Sequence, residues 1–153
     1  LEETAAAAAS TAGWHQWLWQ LRLTQARAEL ALEREAFDEA IATATDGIEQ
    51  CRARGRPKYE ALGLITRARG LHARARTRDA IADAGTAVSV AERTGDPALL
   101  LLALDALIRI DGTDTLATRA RALGDRVRDG LPNEAMRRCF AESDVMRRIR
   151  APR

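Results

Sequence analysis

The chain has 153 residues, the length of one ordinary domain, and can bury about two thirds of its unfolded surface in a single core. Its residues are 46% hydrophobic but only 4% aromatic, so the apolar content is chiefly Ala and Leu, both good helix formers, and an all-α chain is expected. Ten Gly and four Pro fall at regular intervals as punctuation, which excludes a disordered linker, and the longest apolar run, 98–104, excludes a membrane span of about 20 residues.

The net charge of +2 is unevenly spread. Residues 1–49 hold nine acids against three bases, 50–78 nine bases against one acid, 79–136 ten acids against six bases, and 137–153 six bases against two acids. Lys58 is the sole lysine, so guanidinium groups carry nearly all the positive charge, and these pair better with carboxylates than ammonium groups do.

Residues 1–13 are alanine-rich without an apolar face and are read as an N-terminal extension with no function; the start at Leu1 rather than Met suggests a piece of something longer. From there Trp14, Trp17, Leu18 and Leu21 fall at helical spacing, with Trp19 and Leu23 on a second stripe, and the first helix runs to about residue 34. Three tryptophans at that spacing are taken as a core cluster covering one edge of the fold rather than a ligand cage. A second helix is expected over 37–54 with Phe37, Ala40, Ile41, Ala44, Ile48 and Cys51 inward, closed by Gly55. Pro57 opens a third helix reaching about residue 76, and Thr77 N-caps a fourth that ends at Gly95. The fifth, 97–110, is apolar nearly all round apart from Asp105 and Arg109, so it should be enclosed on most sides. Gly112 ends it, Thr113 caps a sixth up to Gly130, and Asn133 caps a last amphipathic helix extending to residue 150.

The segment 27–57 returns without a gap as 67–97. Arg27-Ala28 falls on Arg67-Ala68, Ala40-Ile41 on Ala80-Ile81, Ile48 on Val88 and Gly55-Arg56-Pro57 on Gly95-Asp96-Pro97. A fixed period of this size marks a solenoid, in which each helical hairpin buries its apolar face against its neighbours. The expected organisation is an N-terminal extension (1–13) and one solenoid (14–150), with repeats at about 14–55, 56–95 and 96–131 and a capping helix at 133–150.

With Ala28, Phe37, Ala40 and Gly47 in the first copy, Ala68, Ala80 and Ala87 in the second, and Ala117, Ala120 and Val127 in the third, the pattern resembles the tetratricopeptide-repeat family. There, small residues pack between the two helices of a hairpin. The resemblance covers about residues 17–131 and implies an α-α superhelix of three helix pairs that acts as a non-catalytic, cytoplasmic scaffold for proteins or peptides. The forty-residue period, longer than usual for the family, is similar to repeats in C-terminal regions of large bacterial signalling proteins such as nucleotide cyclases and ATP-dependent transcriptional activators. Arg27 and Arg67 stand where the family has a buried leucine, and Glu35 where a glycine-containing turn is common. The family's clamp for carboxyl-terminal peptides uses Lys and Asn on the inner helices; Gln25, Glu29, Ile65 and Arg69 stand there instead, so that specificity is not implied.

Transferred onto this register, the family's inner groove consists of Arg22, Gln25, Glu29, Leu62, Ile65, Arg69, His72, Leu102, Asp105 and Arg109. This mixed apolar and cationic strip suits an acidic, partly apolar segment of a partner or of the parent chain. On the bland reading, these arginines only bridge to Glu29 and Asp105. A small-ligand sensor using the same groove is the alternative function. No phosphate-loop, dinucleotide, zinc-protease or serine-hydrolase motif occurs, so neither enzyme nor cofactor is expected. The acidic cluster Glu33, Glu35, Asp38 and Glu39 reads as a solvated turn. The run Arg52, Arg54, Arg56 and Lys58 lacks the aromatic residues and motifs of a nucleic-acid binder. Cys51 and Cys139 are expected to be buried, reduced thiols without metal spacing. A weak homodimer is expected through the end bearing Trp14 and Trp17.

Overall fold

The computed structural model describes residues 16–151, which form eight α-helices and no strand. They are α1 (Gln16–Glu33), α2 (Phe37–Ala53), α3 (Pro57–Ala73), α4 (Thr77–Thr94), α5 (Pro97–Asp111), α6 (Asp114–Asp129), α7 (Glu134–Ala141) and α8 (Asp144–Arg150). The alanine-rich extension and Trp14 lie outside the described residues.

The turns fix this division. Glu35, Gly55, Ala75 and Gly95 all have left-handed backbone, with φ of 59°, 61°, 59° and 67°, and they stand at intervals of twenty residues. At the first three turns the two amides that follow the helix fold back on it. Glu35 N donates to Leu32 O (3.0 Å) and Ala36 N to Ala31 O (2.9 Å); Gly55 and Arg56 reach Arg52 O and Cys51 O in the same way, and Ala75 and Arg76 reach His72 O and Leu71 O. This is the Schellman arrangement, and it satisfies carbonyls that the helix end would otherwise leave unpaired. Because the closure uses residues 71–76, α3 stops at Ala73 rather than near residue 76, and Arg76 occupies the cap position expected for Thr77, with no side-chain cap bond. At the start of α6 the Thr113 hydroxyl donates to Asp111 instead of capping.

Helices α1, α3 and α5 touch one another directly in sequence order, whereas α2, α4 and α6 meet only flanking helices and, for α6, the C-terminal pair; the odd and even helices therefore form two layers. Side chains from α2 to α6 and α8 share one core that includes Ile48, Leu64, Val88, Leu104, Met146 and Ile149, and a smaller cluster of Ala31, Leu32 and Ala40 ties α1 to α2. Helix α5 is the most enclosed: Leu99, Leu101 and every residue from Ala103 to Ile108 are buried. Two glycines on α3 set its distance from α2, since an added Cβ would stand 2.9 Å from Ile48 Cγ1 at Gly63 and 3.0 Å from Ile41 Cγ1 at Gly70. Arg67, at the expected leucine position, brings its stem past the core, and its Nε and Nη2 donate to both carboxylate oxygens of Asp83 on α4 (2.6 and 2.8 Å).

Three further expectations are corrected. The single capping helix at 133–150 is two helices, because the Ser143 hydroxyl accepts from Met146 N and starts α8 afresh. Helix α7 buries no residue, while α8 buries Met146 and Ile149. Cys139 is exposed, and only Cys51 is the buried thiol; burial, with Glu60 nearby, pushes it up to about 11 and leaves it protonated at neutral pH. Trp19 does not belong to a core cluster: it is 54% exposed with Arg22 over its ring, whereas Trp17 is half-buried with the Arg56 guanidinium 4.1 Å from its ring centre.

Left-handed backbone costs a side-chain-bearing residue roughly 1–2 kcal/mol, partly offset by the greater unfolded-state freedom of glycine. Glu35→Gly and Ala75→Gly are each expected to raise Tm by roughly 1–3 °C and Gly55→Ala to lower it, as read by thermal circular dichroism. The Asp96 side chain caps α5, accepting from Ala98 N and Leu99 N (3.0 and 3.1 Å), and it also accepts from Lys58 Nζ (2.9 Å). The Lys58 hydrogen bond, then the Leu99 amide, hold its carboxyl below the usual carboxylate range. A depressed native pKa stabilises the fold above the unfolded value, and that stability is lost as pH falls through the native value. Melts across acid pH should therefore show Asp96→Asn, which keeps a neutral cap, losing less stability than the wild type below about pH 4.

Candidate ligand-binding site

One turn and two turns along a helix return to nearly the same face, so Leu62, Ile65, Arg69 and His72 share one side of α3, and Leu102, Asp105 and Arg109 the equivalent side of α5. Ile65, Arg69 and His72 meet Leu102, Asp105 and Arg109 around a cavity of about 430 Å³. Leu32 and Phe37 close its α1–α2 side, Ala73, Ala106 and Ile110 complete its walls, and Arg148 of α8 enters from the C-terminal end.

Asp105 is 5% exposed, an unusual place for a carboxylate. Its Oδ2 accepts from Arg148 Nε (2.9 Å) and Nη2 (2.7 Å), while its Oδ1 is buried and has no hydrogen-bond partner. The bond to Asp105 raises the Arg148 pKa above its ordinary value and keeps it charged. Arg148 is itself held by the seat of α8: Met146 packs over Gly124 of α6, Arg121 Nε donates to Ile149 O (3.2 Å), and Arg150 pairs with Asp125 (2.8 Å). Arg69 makes one long contact with Glu33 (3.3 Å), and both side chains are substantially exposed. The Arg109 guanidinium and His72 imidazole have no hydrogen-bond or ion-pair partner among the described residues.

Six of the ten expected groove residues thus meet at one cavity. Leu62 is half-buried and packs on the core instead. The three from α1 lie outside it: Gln25 Nε2 donates to Thr66 Oγ1 of α3 (2.9 Å) and to Glu29 Oε1 (2.8 Å), and Arg22 lies over Trp19. The bland reading is corrected in its partners, since Arg69 reaches Glu33 rather than Glu29, and Asp105 is taken by Arg148 rather than Arg109. Sequence reasoning missed Arg148, which lies in the segment expected to be a capping helix. Its signal was its position 39 residues after Arg109, which itself stands 40 after Arg69.

The other charged stretches are committed within the chain. In the basic run, Arg52 pairs with Glu60, Lys58 with Asp96 and Arg56 with the Trp17 ring; in the acidic cluster, Asp38 pairs with Arg74 and Glu33 with Arg69. No group of three His, Cys, Asp or Glu among the described residues could hold a metal ion, and no described helix is long and apolar enough to cross a membrane. No family model, curated protein or solved structure matches the chain.

Removing Arg148 leaves both oxygens of a buried carboxylate without a partner, at a cost of about 1–3 kcal/mol tempered by the partial exposure of the guanidinium. Arg148→Met should lower stability in urea titrations by that amount. The double variant Asp105→Leu/Arg148→Met should recover most of the loss, because two apolar groups leave nothing unpaired.

Proposed function

We propose that this chain is a tetratricopeptide-like superhelix and works as a non-catalytic, cytoplasmic binding module for a protein or peptide, in the manner of interaction regions of larger bacterial signalling or transcriptional regulators. Support for the architecture comes from the turns at twenty-residue intervals and the direct contacts between α1, α3 and α5, with α8 set beside α5 as a further member of that layer. The proposed repeats span about 14–55, 56–95 and 96–131.

The observation that carries the functional reading is the cavity, where Arg69, Arg109 and Arg148 come from three successive inner helices above apolar walls of Ile65, Leu102 and Ile110. Arginine forks recognise carboxylates, and the apolar walls supply desolvated area, so an acidic, partly apolar segment of a partner or of the parent chain is the proposed ligand. The volume of about 430 Å³ also lies within the range of small-molecule sites and favours the second reading, a small-ligand sensor at the same place. The half-buried Trp17 and exposed Trp19 support a weak self-association through the N-terminal end.

Fluorescence polarisation with labelled peptides in which Asp or Glu alternate with Leu or Phe tests the ligand class. Arg69→Ala/Arg109→Ala should keep its helical circular dichroism and lose at least about tenfold in affinity. Undiminished binding by the folded double variant would move the interaction off the cavity.

A further inference from the structure

We propose that Asp105 and Arg109 form a paired anchor, so that the cavity selects a ligand carrying a donor nitrogen and an anionic group side by side on an apolar body. This rests on the cavity being the binding site and names what it reads.

Among the described residues three groups at the cavity are uncommitted, Asp105 Oδ1, Arg109 and the His72 imidazole, and the first two are of opposite kind. Asp105 is nine-tenths buried and lines the cavity; Arg148 satisfies Oδ2 alone, so Oδ1 accepts nothing. A carboxylate oxygen has only acceptor capacity, so a ligand can satisfy it only with an N–H or O–H group. One turn further along the same helix, Arg109 lines the same cavity with no acceptor among the described residues. Residues four apart on a helix have Cβ atoms about 6 Å apart, so two adjacent functional groups of one compact molecule can reach both.

Charge favours this combination over either group alone. Arg148 is spent on Asp105, and Arg69 is partly engaged by Glu33, so among the described residues that line the cavity Arg109 is the unpaired guanidinium and Asp105 Oδ1 the unpaired carboxylate oxygen, with the His72 imidazole beside them. A purely anionic ligand would pair with Arg109 but set another negative charge beside Asp105. A purely cationic ligand would satisfy Asp105 and leave Arg109 facing like charge. A ligand with both groups satisfies each at once, and Phe37, Ile65, Leu102 and Ile110 form an apolar surround for its body.

Two sources present this chemistry: a free amino acid with an apolar side chain, and an acidic residue beside an apolar one within a peptide, whose own backbone N–H is the donor. Calorimetric titration of the full chain separates them. One arm compares L-leucine with 4-methylpentanoate, which lacks the nitrogen, and 3-methylbutylamine, which lacks the carboxylate. The other compares an acetylated and amidated Leu-Glu-Leu peptide with the same peptide N-methylated at its glutamate. In at least one arm the complete ligand should bind and each incomplete one should bind at least about tenfold more weakly; the arm that responds identifies the source. Asp105→Asn should reduce the penalty for lacking the donor, and Arg109→Ala the penalty for lacking the anion. Should Asp105→Asn fail to fold, the ligand series on the wild type still decides. Equal binding of ligands with and without the donor nitrogen would overturn the paired anchor and leave an acidic-peptide groove standing. Absence of binding in both arms would overturn the anchor too, while the peptide series with alternating acidic residues separately decides the groove.

Discussion

A helix ends where its last carbonyls find other donors, and from residue 35 to residue 95 one left-handed residue at every twentieth position brings those donors round. Because helix and turn together consume the same number of residues from Glu35 to Gly95, α3 and α5 start in the same register and present equivalent faces. That is why Ile65 and Asp105, or Arg69 and Arg109, arrive at neighbouring places on successive helices and can share a cavity. The site depends on turn spacing before it depends on the chemistry of its residues.

The turn spacing was legible in part, since the third helix was expected to run through Ala75. Gly55 and Gly95 mark two left-handed positions openly, and the gapless match between 27–57 and 67–97 requires the other two to be equivalent even though Glu35 and Ala75 occupy them. The all-helical content, the enclosure of α5 and the inward stripe of α2 were likewise readable from spacing and composition. What stayed hidden was interaction between distant segments. Nothing local in Arg137 to Arg150 distinguishes a helix that covers the end from one that reaches into the groove; the difference lies in Met146 finding the space over Gly124. The roles of Gly63 and Gly70 were missed for a similar reason, since a helical glycine reads as a weakness until its neighbour across the interface is known. Of the groove residues expected from repeat register, six line one cavity, but register could not assign partners, because Glu29 and Glu33 are equally plausible neighbours for Arg69 on an α1 face.

Asp105 joins the fold to the proposed site. Its position on the most enclosed helix makes an unpaired charge expensive, and Arg148 relieves only half of it. The same contact brings the C-terminal helix to the cavity. If the cavity is the proposed binding site, a ligand competing for Arg148 would loosen α8, whereas one reaching Oδ1 would leave the pair intact.

The layered packing also determines which parts of the molecule open most readily. Helix α5 touches α3, α4, α6 and α8, whereas α1 meets only α2 and α3 and α7 buries nothing. Helix α3 likewise touches four helices, so local opening is expected to begin at the two ends and to reach α3 and α5 last, with amide exchange graded along the chain. The helices carrying Ile65, Arg69, Asp105 and Arg109 are thus both central, and the cavity floor is expected to stay protected longer than its α1 and α8 walls.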